Sequence, residues 1–296
     1  MTRFSLTYIG LFLLLLSVLS FFNIIYSYYF NLYLNIDAYI YTLVISLFLG
    51  AIFLIKKKID GKISIYIKIL TVIVGYLILP LIISIPYYLS IYNISFLNCF
   101  FESVSGFTST GFTIFENIKH IDESLILWRS SSQWIGGIYF LFSIILLIDI
   151  FDDNLKKSLT NFISFNFTEV FKQSLKILLL YSALTLFLFI VLKLINIRTF
   201  DSFNLSMTII SSGGFLPFNN IDIIINSDLK KIVFSILMLF SFFSLFLTYN
   251  FFYLRKKNMN FFAEDIYLFI YLIILLIVFF VFFNFDYNFL SILFSI

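Results

Sequence analysis

Small hydroxyl-bearing residues and glycines form two short runs in this otherwise strongly hydrophobic sequence. The first run lies in FFESVSGFTSTGF, residues 100–112, and the second is SSGG, residues 211–214. Such residues leave the peptide backbone accessible, and an unpaired peptide group at membrane depth is costly because no water is available to pair with it. Exposed backbone therefore persists within a membrane only where it is buried in protein or lines a wet cavity. Both runs are candidates for the lining of a pore.

The chemistry that suits such a lining is coordination of a cation by backbone carbonyls. Carbonyl oxygens can replace the hydration shell of an ion, and a glycine lets the backbone turn them inward at little steric cost. Gly111 and Gly214 are the positions at which we most expect this. Coordination by Ser and Thr side chains is the alternative that the residue types leave open.

The composition is that of an integral membrane protein. Hydrophobic residues make up 61% of the chain and charged residues 12%, whereas soluble domains carry roughly 25% charged residues. The net charge of +3 comes from basic residues at segment ends, which form no groove-sized patch and exclude a nucleic-acid partner. A single cysteine and a single histidine are too few for an internal disulfide or a structural zinc site.

Seven apolar segments are long enough to cross a bilayer, which takes about 20 residues. They cover residues 5–30, 38–55, 63–85, 125–150, 171–195, 229–254 and 265–283. Pro80 and Pro86 predict a kink and the end of the third segment.

Two further segments, residues 94–115 and 201–215, contain too few uninterrupted apolar residues to cross. We expect them to re-enter the membrane, the first as a short helix over 95–107 followed by extended chain over 108–112. The predicted fold class is therefore an all-α polytopic membrane protein with about seven transmembrane helices and two re-entrant pore loops.

The basic residues predict the orientation of the chain. Arg3, residues 56–58, residues 156–157 and residues 255–257 all fall on one side of the membrane if both short segments re-enter without crossing. Because basic residues favour the cytoplasmic side, the N-terminus is predicted to be cytoplasmic.

An internal repeat relates the two loops. Placing Gly111 over Gly214 superposes GFTIFEN on GFLPFNN, and each half reads as helix, pore loop, helix. The chain is predicted to divide into an N-terminal helix pair (1–60), a first helix–pore loop–helix unit (61–155), a second such unit (156–258) and the start of an incomplete third (259–296).

These motifs resemble the Trk/Ktr/HKT superfamily of potassium transporters. The resemblance rests on the repeated units, on loops such as SGFTSTGF, and on WRSSSQWIGG at residues 128–137. The last motif is typical of the second helix of the first unit in that family, and residues 1–60 match the extra helix pair of the Trk branch. Family members have four units around one pore, so the chain is similar to the N-terminal half of a Trk-type pore subunit and is expected to be truncated in its third repeat.

The resemblance implies potassium transport across the membrane through a filter of backbone carbonyls. Potassium is then the transported ion, and neither a cofactor nor an enzymatic activity is implied. The implied filter residues are Thr108, Ser109, Thr110 and Gly111 from the first unit and Ser211, Ser212, Gly213 and Gly214 from the second.

The resemblance also implies an environment and partners. The protein is expected in a bacterial-type inner membrane, in contact with lipid and with a cytoplasmic nucleotide-binding regulatory subunit. The missing pore units are expected from a second polypeptide or a second copy of this chain. We favour a separate polypeptide, because a homodimer leaves two unpaired third-unit helices.

Several charged residues admit more than one role. Glu102 either raises the local cation concentration or accepts hydrogen bonds from the filter backbone. Arg129 is a candidate supporting residue, although snorkelling to the interface explains both Arg129 and Lys193. The carboxylates of Asp201 and Asp222 either attract cations to the pore entrance or are solvated loop residues.

Two alternative functions differ from transport. One is a truncated, non-functional remnant or scaffold. The other is a membrane prenyltransferase-like enzyme, suggested by the cluster of Asp149, Asp152 and Asp153, since carboxylates bind magnesium diphosphates. Such an enzyme requires a second facing Asp-rich cluster, and the sequence contains none, so we predict a protein that is not an enzyme.

Overall fold

The computed structural model describes residues 3–55, 64–90, 92–147 and 167–239, together with six positions between residues 270 and 278. All regular structure in these residues is helical. The main helices are α1 (Arg3–Tyr29), α2 (Ile36–Ile55), α3 (Ile65–Tyr88), α4 (Phe96–Phe107), α5 (Glu123–Leu147), α6 (Phe167–Leu194), α7 (Thr199–Ile210) and α8 (residues 228–239).

The predicted all-helical class is confirmed, and α4 begins and ends within one residue of the predicted short helix. The predicted end of the third segment is wrong, because α3 continues through Pro80 and Pro86 to Tyr88. Neighbouring helices in a membrane bundle tolerate such a proline by pairing the backbone groups that it frees.

Four spans in the described residues are long and apolar enough to cross a membrane: Leu6–Tyr29, Tyr33–Leu54, Ile65–Tyr88 and Leu175–Leu194. The basic clusters at 56–58, 156–157 and 255–257, and the Asp149, Asp152 and Asp153 cluster, lie outside the described residues. The total of seven spans and the orientation therefore stay predictions.

The same elements occur twice in the chain, at a spacing of 103 residues. This spacing is also the sequence separation between Glu116 and Asn219. The short helices α4 and α7 each have 12 residues. Two 3₁₀ turns, Ile118–His120 and Ile221–Ile223, follow at the same spacing. Positive φ angles recur in pairs, at Asn93 and Asn196 and at Ser109 and Ser212. The same local chain path is therefore built twice.

Helix α5 lies at the centre of the described bundle, in contact with α1, α3, α4, α6 and α7. Three of its aromatic side chains donate hydrogen bonds to these neighbours. Trp128 Nε1 donates to the carbonyl of Ile83 on α3 at 3.0 Å, and Trp134 Nε1 donates to Thr185 Oγ1 on α6 at 3.0 Å. The hydroxyl of Tyr139 donates to the carbonyl of Val72 on α3 at 2.9 Å.

Asn219 joins the second unit to the first through residues 116–118. Its Oδ1 accepts from the N–H of Ile118 at 2.7 Å, while Nδ2 donates to the carbonyl of Glu116 at 2.9 Å and to Asn117 Oδ1 at 3.0 Å. The amide thus fixes the chain that leaves the second loop to the chain that leaves the first.

The close packing of α3 on α5 yields a stability prediction. A Cβ on Gly75 would overlap the hydroxyl of Tyr139, so Gly75→Ala should lower the free energy of unfolding by about 1–3 kcal/mol, the usual cost of overpacking. The measurement is detergent titration with SDS, followed by the fluorescence of Trp128 and Trp134, the two tryptophans of the chain.

Leu77→Ala is the matched control, because Leu77 lies on the same helix and is exposed. In the background of Tyr139→Ala, Gly75→Ala should cost less than it does in the parent chain, because the side chain that it would overlap is absent. Equal stability of the Gly75 and Leu77 variants would contradict this packing.

Candidate functional site: two facing loops

Each short helix ends in the same hydrogen-bonded reversal. After α4, the N–H of Ser109 donates to Gly106 O at 3.0 Å and the N–H of Thr110 donates to Ser105 O at 2.9 Å. With Ser109 in the left-handed region at φ 55°, this is the Schellman ending of a helix. A serine at this position costs about 1–2 kcal/mol relative to a glycine, so the reversal is held by its surroundings.

After α7 the reversal recurs with the second set of residues. The N–H of Ser212 donates to Ile209 O at 3.0 Å, the N–H of Gly213 donates to Thr208 O at 2.8 Å, and Ser212 has φ 52°. We call residues 108–113 the first loop and residues 211–216 the second loop.

The direction of the N–H groups fixes the direction of the carbonyls in the first loop. The N–H groups of residues 108–111 all donate backwards to carbonyls of α4, over 2.8–3.4 Å. No peptide bond in the described chain is cis, and in a trans peptide the C=O points opposite to the N–H of the next residue. The carbonyls of Thr108, Ser109 and Thr110 therefore point away from α4, and no donor within the described residues reaches them.

In the second loop, Gln133 of α5 binds backbone N–H groups and so sets the direction of the carbonyls. In the amide orientation that satisfies its neighbours, Oε1 accepts from the N–H groups of Gly214 and Phe215, each at 3.0 Å, and Nε2 donates to Thr208 Oγ1 at 3.1 Å. The carbonyls of Gly213 and Gly214 consequently point away from Gln133. Gln133 is fully buried.

The two loops meet backbone to backbone at Gly111 and Gly214. A Cβ built on Gly111 would lie 2.5 Å from the Cα of Gly214, and Gly111 has φ +83°. No larger residue fits there without displacing the opposite loop. The two glycines singled out in the sequence are therefore the contact point of the two repeats.

A buried ion pair lies behind the first loop. Arg129 Nε donates to Glu102 Oε1 at 2.8 Å, and the two side chains are 1% and 0% exposed. Glu102 also accepts from Thr113 Oγ1 at 3.0 Å and from the N–H of Ile114 at 2.9 Å. The carboxylate thus holds the backbone that leaves the first loop, which favours the hydrogen-bonding role over the ion-attracting one.

Arg129 extends from this pair to the second loop. Its Nη2 donates to Thr113 Oγ1 at 2.9 Å and its Nη1 to the carbonyl of Leu216 at 3.5 Å. The guanidinium carbon lies 4.2 Å from the ring centroid of Phe215, within cation–π range. The snorkelling interpretation of Arg129 is wrong, since its partners are inside the protein.

The remaining charged candidates lie away from the glycine contact. Asp201 is buried in the first turn of α7, so neither the entrance nor the solvated-loop interpretation describes it. Asp222 is exposed. Lys193 is exposed at the end of α6, where its Nζ donates to the carbonyl of Ile197 at 3.2 Å.

Sequence inspection noted Gln133 only as part of a motif and did not assign it to the site. A signal for its role exists: Gln133 follows Arg129 by four residues, so both lie on one helical face. Two long polar side chains on one face of an apolar helix indicate buried partners rather than lipid.

The buried ion pair yields a prediction with an exposed pair as its control. Arg129→Gln leaves the Glu102 carboxylate buried without its cation and should lower the free energy of unfolding by about 3–5 kcal/mol. Arg198→Gln should cost about 0–1 kcal/mol, because Arg198 and its partner Glu123 are 57% and 32% exposed.

SDS titration of both variants measures the difference. Arg129→Lys, which keeps the charge but loses the planar guanidinium, should fall between them. A loss for Arg129→Gln no larger than that for Arg198→Gln would show that the pair does not support the loops.

Comparisons with known proteins bear on the whole chain. No protein-family model matches it. An uncharacterized cation transporter of Methanocaldococcus jannaschii is 27% identical over 220 residues, which cover 70% of this chain and 44% of that protein. The Trk system potassium uptake protein TrkI of Halomonas elongata is 43% identical over 60 residues, 20% of this chain and 11% of that protein.

The crystal structure of the potassium transporter TrkH from Vibrio parahaemolyticus has the same fold. It matches with a TM-score of 0.79 at 22% identity, over 99% of this chain and 63% of TrkH. The chain thus spans less than two thirds of the archaeal transporter and of TrkH. All three proteins are described as transporters and none as an enzyme, in agreement with the sequence-based prediction. The predicted resemblance to Trk-type potassium transporters is therefore confirmed, and the chain is an integral membrane protein with the helical fold of TrkH.

Proposed function

We propose that this chain forms part of the pore of a Trk-type potassium transporter. Ions pass along a filter made by the backbone carbonyls of Thr108, Ser109, Thr110 and Gly111 and of Ser211, Ser212, Gly213 and Gly214. The observation that carries this proposal is the meeting of the two loops at Gly111 and Gly214 with the N–H groups turned back into the protein. Carbonyls without protein donors at such a point are suited to replace the hydration shell of a cation.

Helix dipoles favour a cation at the contact between the two loops, although no side chain with an uncompensated charge lies there among the residues described above. The C-terminal ends of α4 and α7 run directly into the two loops, and the C-terminal end of a helix carries about half a negative charge. Glu102 adds no net charge, because Arg129 neutralises it. Attraction by dipoles and carbonyls is weaker than attraction by a free carboxylate, which suits an ion that must also leave.

The hydroxyls of Thr108, Thr110 and Ser211 favour coordination by the backbone over coordination by these three side chains. Thr108 Oγ1 is bonded to the carbonyl of Val104 and to Thr110 Oγ1, at 2.8 and 2.7 Å. Ser211 Oγ donates to the carbonyls of Met207 and Thr208 at 2.9 and 3.0 Å. Hydroxyls engaged in this way are less available to an ion than the carbonyls are.

Two loops supply only part of the coordination that a dehydrated ion needs. We infer that residues 61–155 and 156–258 are two helix–pore loop–helix units after the N-terminal pair 1–60, with 259–296 starting a third. Two further loops from outside residues 1–296, on this or another polypeptide, close the ring. The contrast between Phe112, 69% exposed, and its repeat partner Phe215, 1% exposed, supports a binding surface on the side of the first loop.

The cellular setting belongs to the same proposal. The protein lies in lipid in a bacterial-type inner membrane with its N-terminus in the cytoplasm, takes up potassium as the transported ion without a cofactor, and meets a cytoplasmic nucleotide-binding regulatory subunit. Uptake is driven by the membrane potential, worth about 2.3 kcal/mol per charge per 100 mV.

Gly111→Ala tests the filter. Its Cβ would lie 2.5 Å from the Cα of Gly214, at a φ of +83° that a side chain rarely adopts, so one loop must move. We expect rubidium influx into liposomes to fall at least about tenfold, because the ring of carbonyls loses its spacing. The assay compares liposomes that hold this chain alone with liposomes that also hold the polypeptide that supplies the further loops.

Gly50→Ala is the control, since Gly50 lies in α2 and its Cβ would meet the flexible side chain of Leu14 at 3.0 Å. Undiminished influx through Gly111→Ala would overturn the filter assignment. If neither preparation carried rubidium while the protein was folded, the transport proposal itself would fail.

A further inference from the structure

We propose that Gln133 is a positioning residue that sets the carbonyl directions of the second loop from the helix of the first unit. This inference rests on the proposed function, because the carbonyls concerned are those assigned to the filter. It adds that the geometry of one filter loop is imposed by the neighbouring unit.

Gln133 binds two backbone N–H groups of the second loop. Its Oε1 accepts from Gly214 and Phe215, each at 3.0 Å. Each N–H shares a rigid peptide plane with the carbonyl of the residue before it. Fixing these N–H groups therefore fixes the carbonyls of Gly213 and Gly214 on the opposite side of the loop.

The amide nitrogen completes a closed circuit of hydrogen bonds. Nε2 of Gln133 donates to Thr208 Oγ1 at 3.1 Å, and that hydroxyl donates to the carbonyl of Phe215 at 3.0 Å. The hydroxyl of Thr208 is thus used as both acceptor and donor. The circuit ties the end of α7 to the exit of the second loop through one side chain of α5.

The residue type at position 213 matches this contact. A Cβ on Gly213 would overlap the amide carbon of Gln133, so the loop can approach the amide only with glycine there. The equivalent position of the first loop is Thr110, which is exposed and faces no such amide among the described residues.

A different side chain, Glu102, holds the exit of the first loop. The role of Gln133 is therefore confined to the second loop. Behind the first loop, Glu102 bonds to Thr113 and Ile114, whereas the residue at the matching position of α7 is Leu205, a buried hydrocarbon. The second loop thus lacks a carboxylate at this position of its own helix. The amide of Gln133 reaches it from α5 instead.

The test separates positioning from folding by two readouts on the full-length chain in lipid nanodiscs and liposomes. The first is hydrogen exchange of the Gly214 amide, followed by NMR after labelling with nitrogen-15 glycine, which reports ten glycines. The variant Gln133→Met keeps the length of the side chain and removes the acceptor. We expect exchange at Gly214 to accelerate at least about tenfold, while the amide of Gly75 in α3 stays as protected as before.

The second readout is the ratio of rubidium to sodium influx, which we expect Gln133→Met to lower at least about tenfold, because the carbonyls lose their fixed direction. Gln133→Glu keeps an oxygen acceptor for both N–H groups and should restore protection at Gly214, at a lower overall stability because its buried carboxylate has no counter-ion. Ser130→Ala is the control on α5, since Ser130 is equally buried but bonds only within its own helix.

Unchanged exchange at Gly214 in Gln133→Met would overturn the inference, whether or not the protein conducts. Accelerated exchange with an unchanged rubidium-to-sodium ratio would also overturn it, because the hydrogen bonds of Gln133 would then not affect ion selection by the filter. If the parent chain carries no ion in either preparation, the proposed function fails, and the exchange experiment alone decides whether Gln133 holds the loop.

Discussion

The planar peptide bond is the constraint on which this site depends. Backbone N–H groups at membrane depth must be paired, and the two loops pair theirs inward, with α4 in one case and with α7 and Gln133 in the other. Since each C=O points opposite to the following N–H, satisfying the donors leaves a row of acceptors directed away from the protein. The same pairing that makes irregular backbone tolerable in a membrane thereby leaves the free carbonyls that the proposed cation filter requires.

Helix α5 connects the two loops that carry these carbonyl acceptors. Arg129 reaches the exits of both loops, and Gln133, one turn later, reaches the second loop. The aromatic side chains of the same helix bond to α3 and α6. A polar helix would be unstable in lipid, but α5 is enclosed by other helices and its polar groups have partners. The polar motif of residues 128–137 is therefore a consequence of the central position of this helix.

The sequence was sufficient to predict the all-helical class of fold and to single out the two segments rich in small residues, because both depend on local signals. The contact between Gly111 and Gly214 was not predicted. Small residues in an oily chain and a repeat at constant spacing need no knowledge of distant contacts. The role of Arg129 could not be obtained in this way. An arginine near a helix end is compatible with snorkelling, and only the fold reveals that Glu102, 27 residues earlier, lies 2.8 Å away. Gln133 was missed for the same reason, since its partners lie in the other unit. The end of α3 was misplaced because proline rules hold for isolated helices, and a packed bundle relaxes them.

The two repeats share a backbone path and one hydroxyl-to-carbonyl bond, from Ser105 to Phe112 and from Thr208 to Phe215. They differ in the side chain that binds the N–H groups at the loop exit, and this difference has a physical meaning. The first loop is held by a carboxylate that is buried and charged, so an arginine must accompany it, and a buried pair of this kind is costly to break. The second loop is held by a neutral amide, which needs no counter-ion. Had both loops carried a carboxylate, the second would have required a further buried cation next to the proposed ion path, where it would repel a passing cation. An amide gives the same acceptor geometry without that charge. The asymmetry of the repeats is thus consistent with a site that is selected for its backbone, with net charge kept away from the point where Gly111 meets Gly214.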